Sequence, residues 1–239
     1  MEPRSTPADG VAGDPSAPPR QRWRLVLARS ADAPRIGGRE QADAWEAAVE
    51  ATGLPLHRPP GRARARVAFG APLQLGIAAE RELAELFLAE RVPIWRMTEA
   101  LSGRLPEGWS LVDLFDVWVG GPPLAGRVVA ADYRIELEDE TDPVSIAAAA
   151  RDMLEASALP RVRPKGGASV PYDLRPLLVD ATAEAFAPPT RLRVRTRIHP
   201  ELGTGRPEEV VAALSDRLGR SLEVRAIVRE RLILADERT

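Results

Sequence analysis

The feature of this sequence that most constrains its fold is an order of strand-like and helix-like segments that occurs twice. Apolar residues two apart indicate strands, and apolar residues three or four apart indicate helices. In the first half the segments are a strand at 23–29, a helix at 39–52, strands at 64–70 and 82–88, a helix that begins at Pro93, and a strand at 109–119. This β-α-β-β-α-β order is typical of a ferredoxin-like unit.

The second half repeats the order. Its segments are a strand at 133–137, a helix whose start is marked by Asp142-Pro143, strands at 168–179 and 191–198, a helix from Pro207 to a stop at Gly219, and a last strand or hairpin at 222–234. A cap residue followed by proline is typical of a helix start, and glycine of a helix end. We therefore predict an α+β protein of two tandem ferredoxin-like units with antiparallel sheets, at 22–119 and 130–235, joined by a linker at 120–129.

Two segments allow less definite interpretation. Residues 80–101 also fit one long helix broken at Pro93, and only the repeat favours a strand at 82–88. Residues 1–21 contain five prolines among small polar residues. That composition predicts a disordered tail.

The chain has 239 residues, no cysteine and only two histidines, His57 and His199, which lie far apart. The absence of cysteine excludes disulfides, thiolate zinc sites and cysteine-ligated iron–sulfur clusters. A carboxylate-only Mg²⁺ site remains compatible with the sequence. We predict neither a metal nor a cofactor, and we assign no catalytic residue because neither Ser-His-Asp nor paired-carboxylate spacing stands out.

The formal net charge is −2, which does not mark the whole chain as a nucleic-acid binder. No apolar run approaches the ~20 residues that a membrane helix needs, and the N-terminus lacks the apolar core of a signal peptide. We therefore expect a cytoplasmic protein with no membrane contact. Lys165 is the only lysine, so the distribution of the arginines becomes the informative feature.

Two segments alternate arginine with smaller or apolar residues. The stripes are Arg62, Arg64 and Arg66 in the first half, and Arg191, Arg193, Arg195 and Arg197 in the second. On a strand each stripe projects from one face, where guanidinium groups suit phosphate oxygens, and a ferredoxin-like sheet face is a familiar RNA platform. The alternative is a solvated face with salt bridges to the 35 acidic residues.

Aromatic residues make up only 5% of the chain, and neither stripe interleaves them. The stacking part of single-strand recognition is therefore missing from both. The five tryptophans occupy periodic positions, which predicts core or rim packing. A partner surface would use one or two of them.

Several short segments in a fixed order carry a family resemblance. They are Gly53-Leu54-Pro55-Leu56, residues 69–76, Leu105-Pro106-Glu107-Gly108, Ala130-Ala131-Asp132-Tyr133-Arg134, Asp173-Leu174-Arg175-Pro176 and Gly203-Thr204-Gly205-Arg206-Pro207. Over residues 22–234 the chain resembles the radical-SAM-linked protein family, a bacterial domain of unknown function. The resemblance implies an accessory role beside a radical SAM protein, in RNA or ribosome-related work, and it implies no known activity.

The chain departs from that family at two segments. Members carry Ser-His-Leu-Asp at the start of the first helix, where this chain has Gly37-Gly38-Arg39-Glu40. They also carry Asn-Pro-His-Pro before the second strand, where this chain has residues 61–65 and is one residue shorter. If those histidines perform the family's chemistry, this chain has lost it.

Three residues in the shared segments are candidate site residues. Asp173 and Arg175 would project to the same side of an extended segment, either as a ligand-orienting ion pair or as a structural pair that holds Pro176. Arg206 belongs to a glycine-containing turn before a helix, which favours anions. Glu208 and Glu209 in that first turn oppose a phosphate, so an ordinary turn is the alternative.

Three functions follow as hypotheses. The leading one is an accessory protein that works with a separately encoded radical SAM enzyme and positions RNA. The alternative is a stand-alone RNA-binding module that uses the arginine stripes. The third, an RNA-modifying or RNA-cleaving enzyme, is disfavoured by the missing histidines.

Overall fold

Two sets of strands join edge to edge in the computed structural model. The structure describes residues 17–138, 142–165, 168–184 and 190–236, and at 164, 165 and 168 it describes the backbone alone. The described part contains one nine-stranded sheet, a separate two-stranded sheet and four α-helices. The predicted α+β class is confirmed. Most of the tail predicted at 1–21 lies outside the described residues.

The first half supplies six elements. They are β1 (Gln21–Arg29), α1 (Gly38–Glu50), β2 (Ala68–Phe69), β3 (Ala78–Leu88), α2 (Ile94–Leu101) and β4 (Trp109–Val117). The strand that the repeat alone favoured is present as β3, and it begins four residues earlier than predicted. The alternative of one long helix over 80–101 is therefore wrong.

The predicted strand at 64–70 is also wrong in extent, because only β2 pairs with a neighbour. Gly61 turns the backbone with a φ of 77°. Beyond it the amide of Ala65 donates to Glu50 Oε1 at 2.9 Å instead of to a neighbouring strand. The alternation of arginine and alanine therefore belongs to a loop that helix α1 holds in place.

The second half supplies the remaining elements. They are β5 (Val128–Leu137), α3 (Pro143–Glu155), β6 (Pro160–Lys165), β7 (Ala168–Asp173), β8 (Leu178–Glu184), β9 (Arg191–His199), β10 (Gly203–Thr204), α4 (Pro207–Leu218) and β11 (Val224–Leu234). Asp142 caps α3 by accepting hydrogen bonds from the amides of Val144 and Ser145. Gly219 ends α4 with a φ of 67°.

The strand predicted at 168–179 is two strands of different sheets. β7 pairs with β6 in a hairpin that the sequence interpretation missed, and β8 pairs with β9 in the main sheet. A 3₁₀ turn at Arg175–Leu177 separates them. Pro176 lies in that turn, where its fixed φ suits the tight helical geometry and ends the extended segment.

The main sheet has the order β10-β9-β5-β11-β3-β1-β4, with β2 added to β3 and β8 added to β9. Within each half every neighbouring pair is antiparallel. The halves join through a short parallel pairing of β11 with β3, in which Val228 lies opposite Ala78. The predicted linker therefore connects two sets of strands that share one sheet.

Each half has its own core on the helical side of the sheet. In the first half Trp23, Leu25 and Leu27 of β1 pack with Trp45 of α1 and Met97 of α2. In the second half the alternate residues of β5 and β9 pack with α3 and α4. The opposite side of β5 and β9 carries charged residues, and we call it the open face.

Candidate functional site

A cleft of 610 Å³ lies where the start of α1 faces the loop around β2. Gly38, Gln41 and Trp45 contribute from α1, residues 66–73 form the facing wall, and Trp109 at the start of β4 lies between them. The lining is mainly apolar, and its two arginines, Arg62 and Arg66, lie on one wall. Apolar clefts with few polar groups are the usual form of a ligand site.

Three aromatic rings form the apolar wall. The ring centroid of Trp45 lies 5.3 Å from those of Phe69 and Trp109 with edge-to-face geometry, and Phe69 and Trp109 are 5.7 Å apart. Trp45 is 1% exposed, whereas Phe69 and Trp109 are half-buried. Among the described residues Trp45 Nε1 has no hydrogen-bond acceptor. The cleft thus offers ring surfaces to a planar ligand.

Two arginines of the first predicted stripe line this cleft. Arg62 and Arg66 are exposed, and neither forms an ion pair within the described ranges. Arg64 lies outside the cleft lining and interacts with Glu50. Burial favours a raised pKa for Glu50, but the Ala65 amide, Arg58 and Arg64 outweigh it and hold that pKa below its usual value. Two of the three predicted arginines therefore converge, for a reason other than strand geometry.

The second half of the chain anchors one wall of the cleft. Arg229 of β11 donates to the carbonyl oxygens of Ala71 at 3.3 Å and Pro72 at 2.9 Å, and both of those residues line the cleft. The same guanidinium forms a two-pronged ion pair with Glu82 of β3. The wall is thus fixed across the junction between the halves.

A second buried arginine adds positive charge beneath the cleft. Arg29 at the end of β1 lies 6.0 Å from the Trp109 ring and donates to the carbonyl oxygens of Ile77 and Pro34, both at 2.9 Å. Burial and then the charge of Arg35 lower the pKa of Arg29 from its ordinary value. No carboxylate among the described residues pairs with it, so its charge contributes to the potential near the aromatic wall.

The two segments at which the chain departs from the resembled family meet at this cleft. Gly38 opens α1 on one side, and Arg62 lies on the other. Gly37 caps the helix without a side-chain hydrogen bond, and a side chain added at Gly38 would meet open space. Opposite walls of the cleft therefore carry glycine and arginine.

The second arginine stripe lies on the open face of β9, as its alternation predicted. Arg191 lies 3.5 Å from Glu136, Arg193 contacts Glu184, and Arg195 donates to Asp132 at 2.6 and 3.0 Å. Arg197 alone of the four has no carboxylate partner in the described part. The stripe is therefore largely neutralised, as in the salt-bridge alternative.

Asp132 is the most heavily used acid of the open face. It accepts hydrogen bonds from Arg195 and, at 2.9 Å, from Arg231. Burial by itself raises the pKa of Asp132, but the hydrogen bonds and charges of these two arginines outweigh burial and leave that pKa below its ordinary value. Asp132 thus stays ionised and occupies two guanidinium groups.

The side chains of Asp173 and Arg175 do not form an ion pair with each other. Asp173 accepts from the amides of Leu159 and Arg175 at 2.7 and 2.9 Å, and the Arg175 side chain donates to the carbonyl oxygens of Leu178 and Leu154. These bonds tie the 3₁₀ turn to the end of α3. Both residues therefore satisfy backbone groups rather than face a cavity.

Arg206 is exposed at the N-cap position of α4. The glycine before it has a packing role, because a Cβ at Gly205 would approach the carbonyl oxygen of Leu177 to 2.9 Å. Glu209 in the first turn of α4 binds Arg161 at 3.1 Å. These contacts are those of an ordinary strand-to-helix turn.

Sequence reasoning missed the aromatic wall. Trp45 and Trp109 lie at periodic positions that predict packing. They do pack, and together with Phe69 they form the aromatic wall of the cleft. Phe69 belongs to a shared segment, and Arg62 belongs to a segment that departs from the family. The one available signal was that the segments of Phe69 and Arg62 lie together at the cleft. That proximity is visible only once the fold is known.

The described residues support neither a metal site nor a membrane-spanning helix. No group of three or more histidine, aspartate or glutamate residues there could hold a metal ion. No helix among those residues is both long and apolar enough to cross a membrane.

The fold and cleft define a mixed α+β protein with a largely antiparallel sheet and an arginine-edged aromatic cleft. A family described as an uncharacterized protein conserved in bacteria, DUF2344, matches residues 22–210. The chain belongs to this family. The match includes both walls of the cleft and ends within α4.

No curated protein matches the chain. Among solved structures, a chain from the crystal structure of a Cbf5-Nop10-Gar1 complex is 10% identical, with 87% of this chain and 49% of that chain covered and a TM-score of 0.46. A proposed glycine cleavage system transcriptional repressor is 11% identical, with 88% and 99% covered and a TM-score of 0.23. The chain spans about half the length of the first of these.

Proposed function

We propose that this chain is an RNA-binding accessory protein and that the cleft receives an unpaired nucleotide. The base would stack on Phe69 and Trp109, and the phosphates would lie against Arg62 and Arg66. The single observation that carries the proposal is the convergence, in one cleft, of half-buried aromatic rings with two arginines that form no ion pair among the described residues. Base stacking contributes about 1–3 kcal/mol per base, and arginine supplies the phosphate contacts.

The arrangement of strands supports the proposal. Each half has the strand order second-third-first-fourth when the β6–β7 hairpin and β10 are set aside, namely β2-β3-β1-β4 and β8-β9-β5-β11. From this strand order and the two helices in each half, we infer that the chain consists of two tandem ferredoxin-like units. Such units are common RNA-binding scaffolds.

The cleft is a better candidate for RNA than the open face. Arg191, Arg193 and Arg195 already have carboxylate partners, so RNA would have to displace them. Arg62 and Arg66 form no ion pair in the described ranges, although Glu46 of α1 also lines the cleft. Their charge is therefore available for phosphate oxygens at lower desolvation cost.

The accessory role rests on the family resemblance and on the composition. A radical SAM enzyme needs a cysteine-ligated cluster, and this chain has no cysteine. Any such chemistry must therefore belong to a partner, and this chain would hold the RNA. The glycine and arginine that replace the family's histidines in the cleft favour binding over proton transfer.

The proposal is tested by fluorescence anisotropy with a 5′-fluorescein-labelled single-stranded RNA across a salt series. We expect replacement of both Arg62 and Arg66 by alanine to weaken binding at least about tenfold and to lower the salt slope by about 0.7 per lost phosphate contact. The matched control replaces Arg193 and Arg197 on the open face. Loss of binding from the control pair alone would show that the open face, and not the cleft, binds RNA, and equal losses from both pairs would contradict a site confined to the cleft.

The partner is tested separately, by pull-down of the tagged chain with and without ribonuclease. Recovery of a radical SAM protein in both conditions supports the accessory role. Recovery of RNA without such a protein supports the stand-alone module, and recovery of neither contradicts both.

A further inference from the structure

The nine-stranded sheet ends in an open edge at β4. This strand pairs with β1 on one side, and in the described part of the chain no strand pairs with its other side. An open edge exposes a row of backbone N–H and C=O groups that can pair with another strand. Leu114 is the only residue of β4 that is fully buried.

The edge exposes apolar side chains at its C-terminal end. Phe115 is 46% exposed, and Trp118, one residue beyond the strand, is 77% exposed. The pairing of β1 with β4 shifts register after Asp113, so Val112 has no residue opposite it. The regular part of the edge therefore runs from Asp113 to Val117, which is five residues.

The charge of this edge distinguishes between occupants. β4 carries Asp113 and Asp116 and has no lysine or arginine. Antiparallel pairing with β4 of a second copy would bring these carboxylates close to one another, and like charges across paired strands are destabilising. A strand with basic residues would instead complement them.

We propose that β4 is a docking edge for an extended basic segment of a partner protein, which adds to the sheet as a further antiparallel or parallel strand. Backbone hydrogen bonds along 113–117 would provide affinity, and the Leu114 amide, which donates to Asp113 Oδ1 at 2.8 Å, would exchange that acceptor for the incoming strand. Asp113, on the same face of the strand as Phe115, would select basic side chains, whereas Asp116 lies on the opposite face and accepts a hydrogen bond from Gln21 at 2.8 Å. Phe115 and Trp118 would cover apolar side chains. The proposal is independent of the RNA site, because the cleft uses Trp109 at the opposite end of the same strand.

The test uses two fluorescein-labelled nonapeptides that alternate valine with lysine, one of them with proline at its centre. Both carry the same charge, but the proline peptide cannot complete a strand ladder. We expect the all-L alternating peptide to bind at least about tenfold more tightly. In ¹⁵N-labelled protein it should shift the backbone amides of residues 113–117.

Two variants test whether the peptide binds to the β4 edge. Phe115→Lys on β4 should weaken peptide binding at least about tenfold, because it adds a like charge to the edge. Val179→Lys, a matched control at an exposed position of β8 on the other edge of the sheet, should leave binding unchanged. Mapping on the unaltered protein decides the outcome if Phe115→Lys does not fold.

Three results would overturn the proposal. They are equal affinity for the proline peptide, amide shifts confined to β8, and a concentration-dependent dimer of the chain alone that Phe115→Lys abolishes. The last result would assign the edge to a second copy. RNA binding through Arg62 and Arg66 is measured without peptide, so its success or failure is read independently.

Discussion

Arg229 and Glu82 form a buried ion pair across the junction between the two halves of the sheet, with 2% and 0% of the respective residues exposed. Arg229 also donates to the carbonyl oxygens of Ala71 and Pro72, which form one wall of the cleft. One guanidinium thus connects β11, β3 and the cleft loop. β11 and β3 pair over only a short parallel stretch, and this contact adds a buried polar link between the halves.

Removal of one partner of this pair should be strongly destabilising. We expect Glu82→Gln to lower the free energy of unfolding by about 3–5 kcal/mol, because it leaves a buried guanidinium without its counter-charge. Urea unfolding followed by tryptophan fluorescence measures the change. Glu80→Gln, which breaks the more exposed pair with Arg134, is the control and should cost about 1 kcal/mol or less.

Gly108 should not tolerate a side chain. Its φ is 77°, and an added Cβ would lie 2.7 Å from the Cα of Ala33. We expect Gly108→Ala to destabilise the protein by about 2 kcal/mol or more through backbone strain and the clash. Gly126→Ala has open space and should change the melting temperature little, so equal effects of the two substitutions would contradict this packing.

The stability of the second half should depend on pH through the ionisation of Asp132. Its pKa is lowered in the folded protein, so its stabilising contribution is complete above the unfolded-state pKa of about 3.9 and is lost as the pH falls through the lower folded pKa. Asp132→Asn should therefore reduce stability at pH 7 and flatten the decline of stability below about pH 4. Unfolding curves measured between pH 2 and 7 give the free energy of unfolding of both proteins. If that free energy fell with pH equally steeply in the unaltered protein and in Asp132→Asn, this assignment would be wrong.

Trp45 should contribute through its ring rather than its N–H. Its Nε1 has no acceptor among the described residues, while the ring contacts Phe69 and Trp109. We expect Trp45→Phe to cost about 1.5 kcal/mol or less, because a smaller ring is offset by removal of an unpaired buried donor. Trp45→Ala should cost about 3–5 kcal/mol. Comparable losses from both variants would indicate that the N–H has a partner.

The sequence predicted most helices and the central strands because their apolar periods are strong and their ends are marked. Asp142 before Pro143 and Gly219 after α4 are local signals that need no tertiary information. The repeat identified β3 where the local pattern left strand and helix undecided. The parallel pairing that joins the halves has no local signature, because it depends on contacts between residues far apart in sequence, such as Val228 and Ala78.

The errors have an equally physical origin. Residues 61–67 alternate like a strand, but Glu50 holds the Ala65 amide and leaves this segment as a loop. Residues 168–179 contain a proline turn that sends two strands into different sheets. The cleft was not predictable for the same reason, since its walls come from segments whose spatial proximity depends on where these loops lie.

The central claim is that RNA enters the aromatic cleft, and the indole N–H signals of the ¹⁵N-labelled protein test it most directly. The chain has five tryptophans. Trp109 and Trp45 line the cleft, whereas Trp95 and Trp118 are exposed elsewhere. Titration with a short single-stranded RNA should shift the signals of Trp109 and Trp45 and leave those of Trp95 and Trp118 in place. Shifts confined to Trp95 or Trp118, or no shift at RNA concentrations that saturate binding, would contradict the account.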